Sequence, residues 1–310
     1  MKPSVSVIIP AYNVSEYLLA ALESVKSQTF EDFEAIIVDD GSTDNTSNIA
    51  AAFCALDARF KVVRKKNGGL SSARNYGIEN SDSSYIALLD SDDIYHQRKL
   101  ETHIKALEGN SGIGVVYSAS QAVRDDGGLT PMTMSGKPIY RDPLYALMCK
   151  NFVGHGSNAI FRRCIFEEVG EFDESLRSSE DVDFWLRVAA TRRWEFHRVP
   201  EILCYYRVRP TSLSFNTDRM RESREKVLGK AYDASPDLLE KIMPTAYAYL
   251  YRYLARICLS SNKETEAREF IQLSLESDAS IFLKDFRSFA TLAAVYFQSL
   301  SLPLIKKILG

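Results

Sequence analysis

The chain has 310 residues, 45% apolar and 25% charged, proportions that allow one large domain, or a domain with an appendage, built around a sizeable core. Its formal net charge of −3 excludes a general nucleic-acid binder, because affinity for a phosphate backbone rests on clustered Lys and Arg. Five scattered cysteines and four histidines without ligand spacing exclude a disulfide framework and a zinc finger, and point to reduced thiols in the cytoplasm.

Residues 1–90 alternate short β-rich runs with helical periodicity, the pattern of a mostly parallel α/β sheet. Val5–Ile9 reads as a strand stopped by Pro10, and its apolar run is too short for the core of a signal peptide. A helix follows, capped near Asn13 or Ser15, with Leu18, Leu22 and Val25 on one face. Glu34–Val38 is the second strand and residues 39–42 its exit turn. The next helix opens at Thr43 or Asp44 and turns Ile49, Ala52, Phe53 and Leu56 inward. A third strand at Lys61–Arg64, a loop at Asn67-Gly68-Gly69, a helix over Ser71–Ile78 and a fourth strand at Tyr85–Leu89 complete this half. Right-handed crossovers point the C-terminal ends of parallel strands one way, so these ends share a crevice where open α/β sheets bind ligands.

Past residue 113 the pattern is less regular. Val115–Tyr117 and Gln121–Val123 read as strands, Asp125–Gly128 as a turn, Thr130–Pro143 as a loop and Asn158–Phe161 as a strand. Glu180–Ala190 reads as a helix with Val182, Trp185, Leu186 and Ala189 buried, followed by strands at Glu195–Val199 and Ile202–Arg207. From residue 219 the chain is helical. Ala246–Ala255 and Thr265–Leu275, joined by Ser260–Lys263, form a helical hairpin of the tetratricopeptide kind. These boundaries divide the chain into an α/β domain, 1–218, and a helical C-terminal region, 219–310. The latter holds 14 basic against 11 acidic residues, and Ser288–Ile305 carries no charge before Lys306 and Lys307. That suits a buried terminal helix or an interfacial one at the inner membrane face.

Asp90-Ser91-Asp92-Asp93 places three carboxylates at the end of the fourth strand, and clustered carboxylate oxygens suit Mg²⁺ or Mn²⁺ bridging to substrate phosphates. No G-x-G-x-x-G and no P-loop is present, so diphosphate charge falls to a metal and basic side chains. Asp92 is the expected ligand, Asp90 is better placed for ribose hydroxyls, and Arg74, Arg207 and Arg209 are phosphate partners. Asp39 and Asp40 pair two acids at the second strand's end, suited to recognising a base or ribose, while Tyr12 in Pro10-Ala11-Tyr12-Asn13 offers a ring for stacking. Glu180, Asp181 and Asp183 lie in the first turn of a helix, where the dipole favours acids; one of them is a candidate general base.

Taken together, Val5–Asn13, Val38–Asp44, Asn67–Asn75, Asp90–Asp93 and Glu180–Arg187 resemble, in order, the motifs of family 2 glycosyltransferases, inverting enzymes of the glycosyltransferase A fold. The resemblance covers residues 3–215. It implies a Rossmann-like, mostly parallel sheet with a nucleotide half and an acceptor half. It also implies a nucleotide-sugar donor, most commonly a UDP-sugar, a divalent metal, and a saccharide or lipid-linked saccharide acceptor. By position, Pro10, Tyr12 and Asp40 look like nucleobase contacts, with Ala11, Asn13, Asn67 and Ser91 on the same nucleotide-sugar side. Asp90 looks like the ribose contact, Asp92 the metal ligand, Asp181 the catalytic base with Glu180 in support, and Arg74 a neighbour of the diphosphate. His155 falls in an acceptor-side loop. Tyr205-Tyr206-Arg207-Val208-Arg209 resembles a late Tyr-Arg-x-His segment, with Arg209 where relatives have the histidine; a guanidinium cannot ligate a metal but can grip a phosphate. The rival readings are a sugar-phosphate nucleotidyltransferase, whose N-terminal Gly-rich signature is missing from residues 1–13, and a degenerate binding or scaffold protein, which would be expected to lack the site acids.

Overall fold

A computed structural model describes residues 2–134, 139, 142–208 and 216–296. The chain divides into two compact units, Met1–Tyr140 with Phe152–Arg209, and Arg141–Asn151 with Pro210–Gly310.

In the first unit, β1 (Val5–Ala11), β2 (Phe33–Asp39), β3 (Phe60–Arg64) and β4 (Tyr85–Leu88) form a parallel run in the order β3-β2-β1-β4, with α1 (Leu18–Lys26), α2 (Thr46–Cys54) and α3 (Leu70–Glu79) as crossovers. All seven residues of β1 are buried, as expected of a central strand covered on both faces. The strand does not stop at Pro10. Ile8 turns its carbonyl towards β4 and accepts from Leu89 N–H at 3.0 Å, whereas Ala11 turns towards β2 and accepts from Asp40 N–H at 2.9 Å. Pro10 therefore faces the β4 side two residues past the end of that ladder at Ile8↔Leu88, where a missing N–H costs nothing. Leu18, Leu22 and Val25 of α1 are buried as their spacing requires. On α2 the inward residues are Thr46, Ala50 and Phe53, while Ala52 is exposed. Leu56 lies beyond the helix end and is 77% exposed.

The sheet continues through β8 (Ile160–Arg162), β6 (Ile113–Val123), β9 (Glu195–Arg207) and β5 (Ile94–Tyr95), with β7 (Leu129–Met134) paired to β6. The helices here are α4 (Lys99–Gly109), α6 (Arg163–Val169) and α7 (Glu180–Ala190). Two expected strands merge into β6 because the polar residues between them are satisfied inside the fold: Ser118 donates its N–H and hydroxyl to Asn158 Oδ1 at 3.2 and 3.0 Å, and Ser120 Oγ is bonded to His155 Nε2 at 2.8 Å. Two more merge into β9, where the pairing on β6 jumps from Val199 to Ile202 and leaves Pro200 and Glu201 as a bulge. Part of the expected loop after Thr130 is β7. The expected strand from Asn158 begins instead as a 3-10 turn, Gly156–Asn158.

The second unit contains α5 (Pro143–Cys149), α8 (Thr217–Ala234), α9 (Pro236–Leu239), α10 (Met243–Ser260), α11 (Glu264–Asp278), α12 (Ile281–Lys284) and α13 (Phe286–Tyr296). Helices α10 and α11 form the expected hairpin, with Ser274 Oγ donating to Ala248 O at 2.7 Å. Asp142 caps α5 by accepting from Leu144 N–H and Tyr145 N–H.

Gly77 lets α3 approach the sheet. A Cβ there would lie 2.9 Å from Val38 Cγ2 and closer still to Ile8 Cγ2. Gly77→Ala is expected to lower unfolding free energy by about 1–3 kcal/mol through overpacking. Urea denaturation measures it; an unchanged midpoint would show that α3 is not held this closely.

Candidate active site

The exits of β1 and β2 are tied together before any ligand is considered. Asn13, at φ +51, accepts from Thr43 N–H through Oδ1 at 2.8 Å and donates its own N–H to Ser42 Oγ at 3.2 Å. It therefore bridges two turns instead of capping α1. The paired acids separate into two tasks. Asp39 accepts from Ser42 N–H at 2.8 Å and from the Ser47 hydroxyl, closing its own turn. Asp40 is buried and accepts from Gly68 N–H, Gly69 N–H and Lys65 Nζ at 3.0, 2.8 and 2.9 Å. Its carboxylate lies at the N-terminus of α3, where the helix dipole favours negative charge. Asn67 Nδ2 donates to Asp40 O at 3.0 Å. Asp40, expected at the nucleobase, thus spends its oxygens on the loop preceding α3, and Tyr12, 48% exposed, is the group this exit presents outward.

The acidic loop is held from below. Asp93 N–H donates to Asp90 O at 2.9 Å, and Asp90 N–H donates to Ser157 Oγ at 2.9 Å. The Ser157 hydroxyl in turn donates to Asp93 Oδ2 at 2.5 Å, and Arg207 N–H donates to Asp93 Oδ1 at 2.9 Å. Asp93 is buried, and the following helix α4 opens only at Lys99. Burial, with Asp92 and Asp90 nearby, pushes its carboxyl well above the usual range. The Arg207 guanidinium, expected at a diphosphate, donates to three backbone carbonyls instead: Asp92 at 2.9 Å, Arg124 at 3.1 Å and Asp125 at 2.6 Å. It lies over the Tyr17 ring at 5.1 Å. Ser91 is buried, and the half-buried Asp92 is carried on a backbone that Arg207 clamps.

Helix α7 opens after Ser179, which adopts φ +61, and begins with Glu180, Asp181 and Asp183 in its first turn. Asp183 pairs with Arg187 at 3.0 Å, Asp181 Oδ1 accepts from Val182 N–H at 2.8 Å, and Glu180 Oε1 meets Arg74 Nη1 at 2.7 Å. The same guanidinium reaches Asp90 Oδ1 with Nη2 at 2.7 Å. Arg74 is 1% exposed, so a residue expected to face a diphosphate instead joins the acidic loop to α7 from inside. Burial works against its charge, yet Asp90 and Glu180 outweigh burial and hold its pKa above the ordinary value. Asp90, Asp92, Glu180 and Asp181 are brought into one neighbourhood.

His155, expected to contact an acceptor, is buried, bonded through Nε2 to Ser120 Oγ at 2.8 Å, and packed on Tyr206 with centroids 4.6 Å apart. Burial pushes its pKa down to about 3, so the ring is neutral and acts as packing. Its loop is supported by Lys99, whose Nζ donates to Asn158 O at 2.7 Å. Ser157, Lys99 and Lys65 were not singled out from the sequence. For Ser157 the available signal was the glycine pair Gly154 and Gly156 just before it, since Gly156 sits where the backbone approaches Arg74 closely; nothing in the sequence pointed to Lys99 or Lys65.

A hard divalent cation fits one donor set here. Asp92 offers carboxylate oxygen at a strand end, with Asp90 beside it, as Mg²⁺ or Mn²⁺ requires. Asp93, His155 and Cys204 also bring donor atoms within 4.8 Å of one another. There, however, Asp93 is already bonded by Ser157 and Arg207, and a buried thiol is a soft ligand. Arg209 lies outside the described residues.

The family model described as Glycosyl transferase family 2 matches residues 6–170. An uncharacterized glycosyltransferase of Rickettsia felis is 35% identical over 186 residues, 60% of this chain and 30% of the relative. The uncharacterized glycosyltransferase EpsJ of Bacillus subtilis is 32% identical over 225 residues, 69% of this chain and 64% of its own. Chondroitin synthase of Escherichia coli is 31% identical over 234 residues, 74% of this chain and 32% of its own. The chain spans only 26–30% of the length of the Rickettsia felis, R. bellii and R. conorii relatives. Among solved structures, the mannosyltransferase PcManGT from Pyrobaculum calidifontis, in complex with GDP-Man and Mn²⁺, gives a TM-score of 0.65 at 18% identity, covering 100% of this chain and 85% of that one. TarS of S. aureus (residues 1–349) in complex with UDP-GlcNAc gives 0.58 at 19%, covering 92% of each. The shared architecture is the glycosyltransferase A fold.

Burial lowers the Lys99 pKa from 10.5 to about 8. Between those values the unfolded chain holds a proton that the folded chain has released, so stability rises with pH across the window. Lys99→Met removes this gain, about 2–3 kcal/mol between pH 7.5 and pH 10. Urea unfolding at pH 7.5 and pH 10 is expected to show wild type gaining on the variant; a constant difference would sink the assignment.

Proposed function

Because the chain belongs to glycosyl transferase family 2, we propose that it is an inverting glycosyltransferase that moves a sugar from a nucleoside-diphosphate sugar to a hydroxyl of a saccharide or lipid-linked saccharide. The observation that carries this reading is the shared Arg74. It brings the loop bearing Asp92 and the helix bearing Asp181 to one site at the C-terminal ends of the parallel strands. A UDP-sugar heads the donors, with UDP-GlcNAc bound by TarS and GDP-Man by PcManGT marking the range to test.

The reaction is a single in-line displacement. Asp181 accepts the proton of the acceptor hydroxyl as that oxygen forms its bond to the anomeric carbon. The bond from that carbon to the diphosphate oxygen breaks on the opposite face, and its electron pair leaves with the nucleoside diphosphate. Asp181 stands in the first turn of α7, where the helix dipole favours negative charge. Tyr12 stacks on the base, and Asp90 meets the ribose through its remaining oxygen. When bound, a Mn²⁺ or Mg²⁺ ion on Asp92 supplies Lewis-acid stabilisation of the negative charge on the leaving diphosphate.

Asp181→Asn is expected to lower transfer at least 10³-fold while UDP affinity stays within about threefold of wild type. Asp92→Ala is expected to weaken Mn²⁺-dependent UDP binding by about tenfold or more. Calorimetry after a thermal-shift panel of UDP, GDP and dTDP, with and without Mn²⁺, reads both. If Asp181→Asn loses UDP affinity as steeply as transfer, the base assignment fails.

The helical unit supports a peripheral contact with an anionic membrane surface. No described helix is long and apolar enough to cross a membrane. Leu283, Phe286 and Phe289 are 91%, 68% and 53% exposed, and Lys284 and Arg287 are exposed between them, the mixture that suits an anionic bilayer interface. The opposite face of α13 buries Ser288, Thr291, Ala294 and Val295, so the first half of the uncharged stretch is a packed helix; its continuation from residue 297, with Lys306 and Lys307, lies outside the described residues. Flotation at low salt is expected with vesicles containing phosphatidylserine and not with pure phosphatidylcholine, and to be lost in Phe286→Ser/Arg287→Glu. No flotation at low salt would argue for a soluble acceptor.

A further inference from the structure

Arg74 donates from one nitrogen to Asp90, on the loop after β4, and from the other to Glu180, the first residue of α7, both at 2.7 Å. These partners lie 16 and 106 residues from it in the chain. The guanidinium is enclosed on its remaining sides. Phe172 lies 5.7 Å from it, held by reciprocal bonds of Asn75 to Phe172 N and O at 2.9 Å each. Gly156 also abuts it: a Cβ there would lie 3.0 Å from Arg74 Cζ and from Asp90 Oδ2, and closer still to Nη2. With 1% of its surface exposed, the side chain has no room to meet a ligand.

We propose that Arg74 is a positioning residue for transfer: it sets the distance between the Asp90–Asp92 loop and Asp181 without touching the donor. This rests on the reading of Asp181 as base. The reason lies in shape as much as in charge. A planar guanidinium presents two nitrogens in a fixed fork, so two carboxylates bonded to it have a fixed separation. An ammonium keeps the charge and loses the fork. Reacting groups displaced by about 1 Å lose on the order of 10²-fold in rate. Gly156 belongs to the same device, because any side chain there displaces the fork.

Arg74→Lys, Gly156→Ala, Glu180→Gln and the double variant Arg74→Lys/Glu180→Gln test this, with turnover of UDP-sugars followed by UDP release and affinity for UDP with Mn²⁺ followed by calorimetry. Expected is a loss of about 100-fold in kcat for Arg74→Lys and for Gly156→Ala, with UDP affinity falling less than about tenfold. In the double variant, Glu180→Gln is expected to cost little beyond Arg74→Lys alone, because both break one link. A phosphate-binding Arg74 predicts the reverse, with UDP affinity lost as steeply as kcat and Glu180→Gln adding its full effect; that outcome overturns the proposal, as does an unchanged kcat. If the Arg74 variants fail to fold, Gly156→Ala and Glu180→Gln, which keep the arginine, give the same split between kcat and affinity or refute it. Retained turnover in Asp181→Asn would refute the base reading while leaving the coupling between Arg74 and Glu180 to be judged by the double variant.

Discussion

One buried cation organises the first unit. Taking a guanidinium out of water costs several kcal/mol unless charge and hydrogen bonds replace the solvent, and removing one partner of such a buried group typically costs about 3–5 kcal/mol. Arg74 recovers that cost from Asp90 and Glu180, which lie 16 and 106 residues from it in the chain and belong to different elements. The acidic loop and the N-terminus of α7 are therefore bound to one point on α3. Gly77 seats α3 directly on β1 and β2, so the geometry of the site is referred to the middle of the parallel sheet.

Around this point the polar side chains form support for the site more than contact with a ligand. Asp93, Ser157 and the Arg207 backbone make one closed set of hydrogen bonds, and the Arg207 side chain adds three carbonyls to it. Buried polar groups cost little when each is bonded and a great deal when one is left over. The network therefore rigidifies the loop that presents Asp92, and rigidity of this kind lets an enzyme hold reacting groups ready before substrate arrives. Asp40 does the same for the loop before α3, and Asn13 for the two strand exits. The match to glycosyl transferase family 2 and the glycosyltransferase A architecture agree with the parallel strand order β3-β2-β1-β4.

Much of this was legible in the chain itself. The short β-rich apolar runs located β1 to β4 within two residues at each end, the helical spacing of Leu18, Leu22 and Val25 located the inward face of α1, and Glu180–Ala190 was a helix at both stated boundaries. Errors arose where a local rule met a tertiary condition. Pro10 ends a strand only if its N–H is needed, and it stands past the end of the β4 ladder. Polar Ser118 breaks a strand only if it is unsatisfied, and Asn158 satisfies it from 40 residues away. Leu56 continues a helical stripe only if the helix reaches it, and α2 ends at Cys54.

The sequence by itself determined the elements, the acid-tipped strand ends and the family, because periodicity, turn chemistry and short motifs are properties of neighbouring residues. Only the tertiary structure decided which charged groups face outward. Arg74 and Arg207 carry the same charge in the sequence as any phosphate-binding arginine; one is sealed between two carboxylates and the other between three carbonyls. The physical reason is that a charge's role depends on its desolvation and its partners, and those partners lie up to 115 residues away in the chain.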